Sequence, residues 1–265
     1  MHGFTTRRGG VSAPPFDSLN LGLHVGDDAK VVLANRARLA RALRAAPDAF
    51  VFAAQVHGAV CGTVGADDRG RGATSTATSI PGADALACAD ADVLLAILTA
   101  DCVPILLADP VRRVCAAVHA GWRGTVAGAV GAAVRSMAAL GTRPADVRAA
   151  IGPAIGADDY AVGAEVREAA AAASPGAAAR WLRERDGAMT FDLALANRDQ
   201  LVDAGVAPDR VAVADVSTAG DAGTWFSHRA QGGRTGRQAA VVGWRGEGAT
   251  PARLESSAPL RAPSI

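Results

Sequence analysis

The sequence predicts a single domain of mixed α/β class, its strands and helices layered rather than strictly alternating. Three observations predict this. Residues 93–98, 103–108 and 114–119 are nearly continuous apolar runs, the pattern of strands covered on both faces. Helical segments bounded by Gly and Asp lie before and after them. No internal repeat or long Gly/Ser linker divides the 265 residues. Half of the chain is apolar, mostly Ala, Val and Leu, which suffices for a sizeable core of small side chains.

The elements follow in order. Residues 1–28 are turn-rich, with Gly9-Gly10, Pro14-Pro15, Asn20 and Asp27-Asp28, and read as irregular loop with short strands. A helix is expected over 29–43, with Arg36, Arg38, Arg41 and Arg44 interleaved among Leu and Ala. The β-branched runs 51–56 and 60–64 around Gly58 predict strands or a hairpin. Residues 66–81, rich in Gly, Asp, Ser and Thr, predict a mobile surface loop. After the three apolar runs, Gly121-Trp122-Arg123-Gly124 breaks the chain. Thr125 is then the expected N-cap of a helix over 126–140, with Gly141 as its stop. A strand–loop unit is expected at 147–156, helices at 164–173 and 193–204, and late strands at 211–214 and 239–242. The domain therefore spans 1–245, and the Pro-, Ser-, Gly- and Arg-rich tail 246–265 is expected to be disordered.

Lys and Arg total 27 against 26 Asp and Glu, a net charge of +1. This balance offers no electrostatic footprint for nucleic acid or an anionic membrane. No segment holds 18 uncharged apolar residues, so no transmembrane helix is expected. The first residues lack the apolar core of a signal peptide. The four cysteines, Cys61, Cys88, Cys102 and Cys115, therefore read as reduced thiols of a cytoplasmic protein. Nothing sets an oligomeric state; a monomer is the slightly favoured expectation.

Three residues sit where strands meet turns: His57 in Gln55-Val56-His57-Gly58, Cys102 in Ala100-Asp101-Cys102-Val103-Pro104, and His119 before Ala120-Gly121. Strand ends at loops are where rigid scaffolds place reactive groups. Two imidazoles and one thiolate suit zinc, and three protein ligands leave a fourth position for water or substrate. On spacing alone, a buried structural cysteine and two ordinary histidines are the better reading. The Gly121-to-Gly124 turn ahead of a helix, with the Arg123 fork, suits a phosphate or carboxylate; a plain strand–helix turn is the alternative. Further polar candidates are Arg7, Asn20, His24, Gln55, Asp84, Asp101, His228 and Arg229, each with a structural hydrogen-bonding role as its alternative.

Several segments together carry a family resemblance. They are Gly3-Phe4-Thr5-Thr6-Arg7-Arg8-Gly9-Gly10-Val11-Ser12, Ser18-Leu19-Asn20-Leu21-Gly22, His24-Val25-Gly26-Asp27-Asp28 and Gln55-Val56-His57-Gly58. Ala83-Asp84-Ala85-Leu86, Ala100-Asp101-Cys102-Val103-Pro104-Ile105, residues 116–125, Ile151-Gly152-Pro153-Ala154-Ile155-Gly156 and Phe226-Ser227-His228-Arg229 complete the set. With these, the chain resembles the laccase-domain family, labelled multicopper polyphenol oxidase and associated with purine nucleoside phosphorylase activity. The resemblance implies a layered α/β/β/α sandwich and a zinc site of His57, Cys102 and His119. It also implies phosphorolysis of adenosine, inosine and methylthioadenosine, and adenosine deamination. His57, Cys102 and His119 would then be catalytic, with Asp101 and His228 as candidate acids. Arg7, Asn20, Gln55, Arg123 and Arg229 are the candidate substrate contacts, and nucleoside and phosphate the small-molecule partners. Three features depart from the family. Members usually carry extra residues before Gly3, a Cys-Thr pair reads Ser217-Thr218, and an Arg-Arg-Asp reads Arg229-Ala230-Gln231.

Two other activities compete. A four-copper laccase needs many histidines in H-x-H pairs, whereas this chain has five and no such pair. A single blue-copper site uses an axial Met, but Met1, Met137 and Met189 lie outside the ligand motifs; copper is the lesser cofactor candidate. The stronger rival is a hydrolase in which Cys102 and His119 act as nucleophile and base. The fold resembles the cytotoxic necrotizing factor deamidases, and some relatives are called peptidoglycan editing factors. A purely partner-binding role has no heptads, charge block or repeat to support it.

Overall fold

The three central apolar runs become strands because each is covered on both faces. In the computed structural model, which describes residues 1–246, they are β5 (Leu94–Thr99), β6 (Val103–Asp109) and β7 (Val114–Ala120). Alternate residues of β7 part company: Val114, Ala116 and Val118 face helices, while Cys115 and Ala117 face a second sheet. Period-2 alternation is present but invisible in hydropathy, since both faces are apolar.

The remaining strands are β1 (His2–Phe4), β2 (Phe50–Phe52), β3 (Cys61–Thr63), β4 (Ala85–Cys88), β8 (Arg148–Ile151), β9 (Leu182–Arg185), β10 (Ala188–Phe191), β11 (Val211–Val213) and β12 (Gln238–Val242). A six-stranded sheet has the order β11-β8-β6-β7-β4-β3, and a four-stranded sheet the order β1-β12-β5-β2. They pack face to face through Leu95 and Ile97 of β5, Leu106 of β6, Ala117 of β7 and Ala240 of β12. Burying each of the Leu and Ile side chains is worth about 1.5–3 kcal/mol. β9 and β10 form a separate hairpin.

Helices cover the outer faces. α1 (Ala29–Ala42) is capped by Asp28, whose carboxylate accepts from the Lys30 N–H at 2.8 Å, and packs Leu39 and Ala40 on the four-stranded sheet. α3 (Ala129–Ala139), α4 (Ala164–Ala173), α5 (Ala178–Trp181) and α6 (Leu193–Asp203) contribute to the core on the other side. The architecture is thus the single-domain α/β/β/α sandwich that the resemblance implied. Among the described residues, no helix is long and apolar enough to cross a membrane.

Three local expectations are corrected and two are made specific. The helix over 126–140 is two: α2 (Trp122–Val126) and α3, separated by Gly128 at φ +79°. Its N-cap is Gly121, and Thr125 is buried within α2, its hydroxyl accepting from Asn197 of α6 at 2.9 Å. Of the two alternatives for the runs around Gly58, separate strands are found rather than a hairpin: β2 pairs with β5 and β3 with β4, in different sheets. Residues 66–81 are tied down by the Arg36 guanidinium, which donates to the carbonyls of Gly72 and Ala73. The turn-rich N-terminal segment opens with β1, paired antiparallel with β12. The expected tail beyond residue 246 lies outside the described residues.

Candidate metal centre

The segment crossing from one sheet to the other carries His57 in the left-handed region, at φ +62°. Such a conformation persists only when its surroundings fix it. Asp84, fully buried just before β4, does so. Its carboxylate accepts from the N–H groups of Val56 (3.1 Å), His57 (2.9 Å) and Gly58 (2.6 Å). The same carboxylate lies 2.8 Å from Nδ1 of His119, at the end of β7. One side chain therefore orients both histidines. The third member, Cys102, sits in the β5–β6 turn beside Asp101, which takes φ +87°.

The candidate ligand atoms of His57, Cys102 and His119 all lie within 4.8 Å of one another. The two imidazoles meet edge-on, with centroids 4.9 Å apart. Gly121 makes this approach possible: a Cβ there would stand 2.9 Å from Cys102 Sγ and 3.2 Å from the His57 ring. Gly124 is similarly confined, its would-be Cβ 2.9 Å from the Gly58 carbonyl.

Burial alone would push the Cys102 thiol up. The positive charge and hydrogen bond of His119, with those of His57, outweigh it and hold the thiol at about 6. Burial likewise opposes charge on His119, but the Cys102 thiolate and the Asp84 carboxylate raise it to about 9. Asp84 is held below the usual carboxylate range: its burial is overcome by hydrogen bonds from His119 and the backbone. The donor set fits a transition metal: a ready thiolate, and a histidine whose Nδ1 is held by a carboxylate so that Nε2 faces the site.

The three candidate ligands lie in the wall of a cavity of about 680 Å³. Gln55, Asp101, Arg123, His228 and Arg229 also line it. Their partners limit what each can do. The Gln55 amide exchanges two hydrogen bonds with the backbone of Leu98, at 2.8 and 2.9 Å. Asp101 accepts from the Thr218 hydroxyl and the Arg229 N–H, both at 2.7 Å, and so ties in the 218–229 segment. Arg123 stacks on Trp122 and pairs with Glu165 at 3.2 Å. Arg229 stacks on Tyr160 and donates to the Ala161 carbonyl.

Arg7 and Asn20 are not brought to this cavity. Arg7 pairs with Asp17 and stacks on Phe226. Asn20, fully buried, bonds Gly22, Asp27 and the Arg237 N–H, because its short amide suits the tight N-terminal turn. In this structure both brace the N-terminal segment and neither lines the cavity. The departure Ser217 also lies outside the cavity wall, its hydroxyl linked to Asp159 and Gly156. Conversely Arg36, Thr99, Tyr160 and Arg237 line the cavity. No spacing signal in the sequence marked them, because they come from separate elements.

A two-sheet sandwich with a His–Cys–His cluster in a cavity wall defines a layered α/β protein with a candidate metal centre. A family model described as "Multi-copper polyphenol oxidoreductase laccase" matches residues 1–245, and the chain belongs to this family. It is 42% identical over 251 residues, 92% of this chain and 90% of the relative, to purine nucleoside phosphorylase YlmD of Geobacillus stearothermophilus. It is 44% identical over 250 residues to a purine nucleoside phosphorylase of Deinococcus radiodurans, covering 94% of this chain and 91% of that one. Among solved structures, YlmD from Geobacillus stearothermophilus superposes with TM-score 0.90 at 42% identity, covering 93% and 92% of the two chains. The hypothetical protein YfiH of Bacillus licheniformis does so with TM-score 0.89 at 36% identity, covering 92% of each.

Proposed function

We propose that this protein is a cytoplasmic purine nucleoside phosphorylase acting on adenosine, inosine and methylthioadenosine, with zinc held by His57, Cys102 and His119. The observation that carries the proposal is the placing of this cluster in a cavity whose wall holds four arginines and one carboxylate, Asp101. That charge excess suits an anionic co-substrate, and the curated relatives bear the corresponding name. Zinc is preferred to copper because no methionine lines the cavity to serve as an axial ligand.

Zinc bound there supplies a Lewis acid, chemistry that also accommodates adenosine deamination. The chain's own residues do the rest. Asp84 fixes the tautomer and orientation of His119. Trp122 and Tyr160, each carrying a stacked arginine, offer aromatic faces to the purine. In the reaction a phosphate oxygen bonds to C1′ of the ribose as the C1′–N9 bond breaks. The electron pair leaves with the purine, which takes up one proton; the products are ribose 1-phosphate and free base. Both oxygens of Asp101 are engaged, so His228 is the candidate proton donor.

One observation favours a second reading. The lowered Cys102 thiol and raised His119 imidazole form a thiolate–imidazolium pair suited to a hydrolase acting on peptidoglycan precursors. Metal analysis paired with inosine phosphorolysis separates the two. About one zinc per chain is expected, with turnover lost on chelation and restored by zinc, and both lost in Cys102→Ala. No bound metal and no inosine phosphorolysis, with release of the amino acid from a muropeptide precursor that survives chelation but dies on thiol alkylation, would favour the hydrolase instead.

A further inference from the structure

Asp101 occupies a backbone position that would suit glycine. Its φ is +87°, and the residue is buried, 8% exposed. A side chain in this region is strained and persists only when its surroundings fix it. Asp101 immediately precedes Cys102 in the same turn, yet its carboxylate is not among the clustered ligand atoms. Both of its oxygens are taken: Oδ1 accepts from the Thr218 hydroxyl and Oδ2 from the Arg229 N–H, each at 2.7 Å. The carboxylate is therefore a tether, not a ligand.

What it tethers lies on the far side of the cavity. The Asp101 carbonyl accepts from the Ile155 N–H at 2.8 Å, and the N–H of fully buried Thr218 donates to the Ala154 carbonyl at 2.8 Å. The Cys102 turn, residues 154–155 and Thr218 thus form one bonded knot. From Thr218 the chain runs on to His228 and Arg229, both in the cavity wall. Other bonds of the 227–233 loop close on the loop itself. Ser227 N–H donates to Gln231 Oε1, Ala230 N–H to Ser227 Oγ and Gly233 N–H to the His228 carbonyl. The Asp101 carboxylate is what joins this loop to the Cys102 turn.

We infer that Asp101 is a positioning residue that couples Cys102, in the candidate metal centre, to the cavity-lining loop 227–233. A metal that fixes Cys102 fixes the turn carrying Asp101, and through its carboxylate the backbone of Arg229. Such coupling is reciprocal: a ligand held by His228 and Arg229 tightens metal binding by the same factor. That this ligand is a nucleoside rests on the phosphorylase reading; the coupling between metal and loop does not.

The test uses the full chain with three substitutions. Asp101→Gly suits the +87° backbone and removes only the tether. Asp101→Asn keeps both bonds, since its amide oxygen accepts from Arg229 N–H while its NH2 donates to a Thr218 hydroxyl turned to accept. Thr218→Val breaks one bond and keeps the shape. Zinc titration should show affinity lowered about tenfold or more in Asp101→Gly, within about threefold of wild type in Asp101→Asn, and between the two in Thr218→Val. Amide exchange of the 227–233 loop, followed by mass spectrometry, should slow when zinc is added to wild type and Asp101→Asn, but not to Asp101→Gly. A purely structural role would speed exchange equally with and without zinc. In inosine phosphorolysis at saturating zinc, Asp101→Gly should raise the inosine KM about tenfold while kcat changes less than about threefold. Exchange indifferent to zinc in wild type, or zinc-dependent protection that persists in Asp101→Gly, overturns the inference. Asp101-dependent protection without phosphorolysis keeps the coupling and removes only the phosphorylase reading.

Discussion

Asp84 does more for the candidate centre than any ligand in it. Its two oxygens hold three N–H groups of the 56–58 turn and Nδ1 of His119. In Asp84→Asn, one oxygen becomes a donor facing donors. Metal affinity should fall about 10- to 100-fold, with a stability loss of about 1–3 kcal/mol per unsatisfied group; metal titration and denaturant unfolding measure the two. Unchanged affinity would show that the histidines are held by packing alone. Asp84 stood among the polar candidates in the sequence, but nothing local distinguished it from Asp101. Its role depends on meeting His119 across 35 positions of chain and the 56–58 turn across 26 to 28.

At the scale of elements, β4 and β7 set Cys88 opposite Cys115 in the antiparallel register, both fully buried and free. Burial pushes the Cys88 thiol up to about 11 and the Cys115 thiol to about 12, the latter aided by its neighbour. In the unfolded chain both ionise near about 8.5. The folded values are raised, so the neutral thiols contribute stability that is complete below about pH 8.5 and lost as pH rises through the folded values. Denaturant midpoints should therefore fall between pH 9 and 11, and less steeply in a Cys88→Ala/Cys115→Ala double variant. Parallel slopes for the two proteins would refute this. Elements with strong periodicity or caps were legible: α1, α4 and α6 fall within a residue of expectation. Strand β4 and the β9–β10 hairpin were not. Ala85–Cys88 is too short and too rich in alanine, and Leu182–Arg185 too polar, to resemble strands.

The whole molecule depends on its two sheets staying packed, because the histidine turn hangs between them. Ile97, fully buried on β5, belongs to the inter-sheet core. Ile97→Ala should cost about 2–5 kcal/mol, read as a lower thermal midpoint and a loss of metal affinity on heating ahead of global unfolding. Retention of metal up to the global transition would show that the site and the sheet interface are uncoupled.

By itself the sequence determined the α/β class, the extents of α1, α4 and α6, the three buried strands and the three ligand candidates. These rest on hydrophobic period, turn chemistry and residue type, all local properties. Only the tertiary structure decided which sheet each strand joins, that Gly121 must lack a side chain, and that Asp84 serves both histidines. It alone also separated Arg7 and Asn20, which brace the N-terminal turn, from Thr99 and Arg237, which line the cavity. Register and sheet packing are long-range properties; they bring β5, β7, β12 and the crossing segment to one cavity, and no spacing along the chain encodes that meeting.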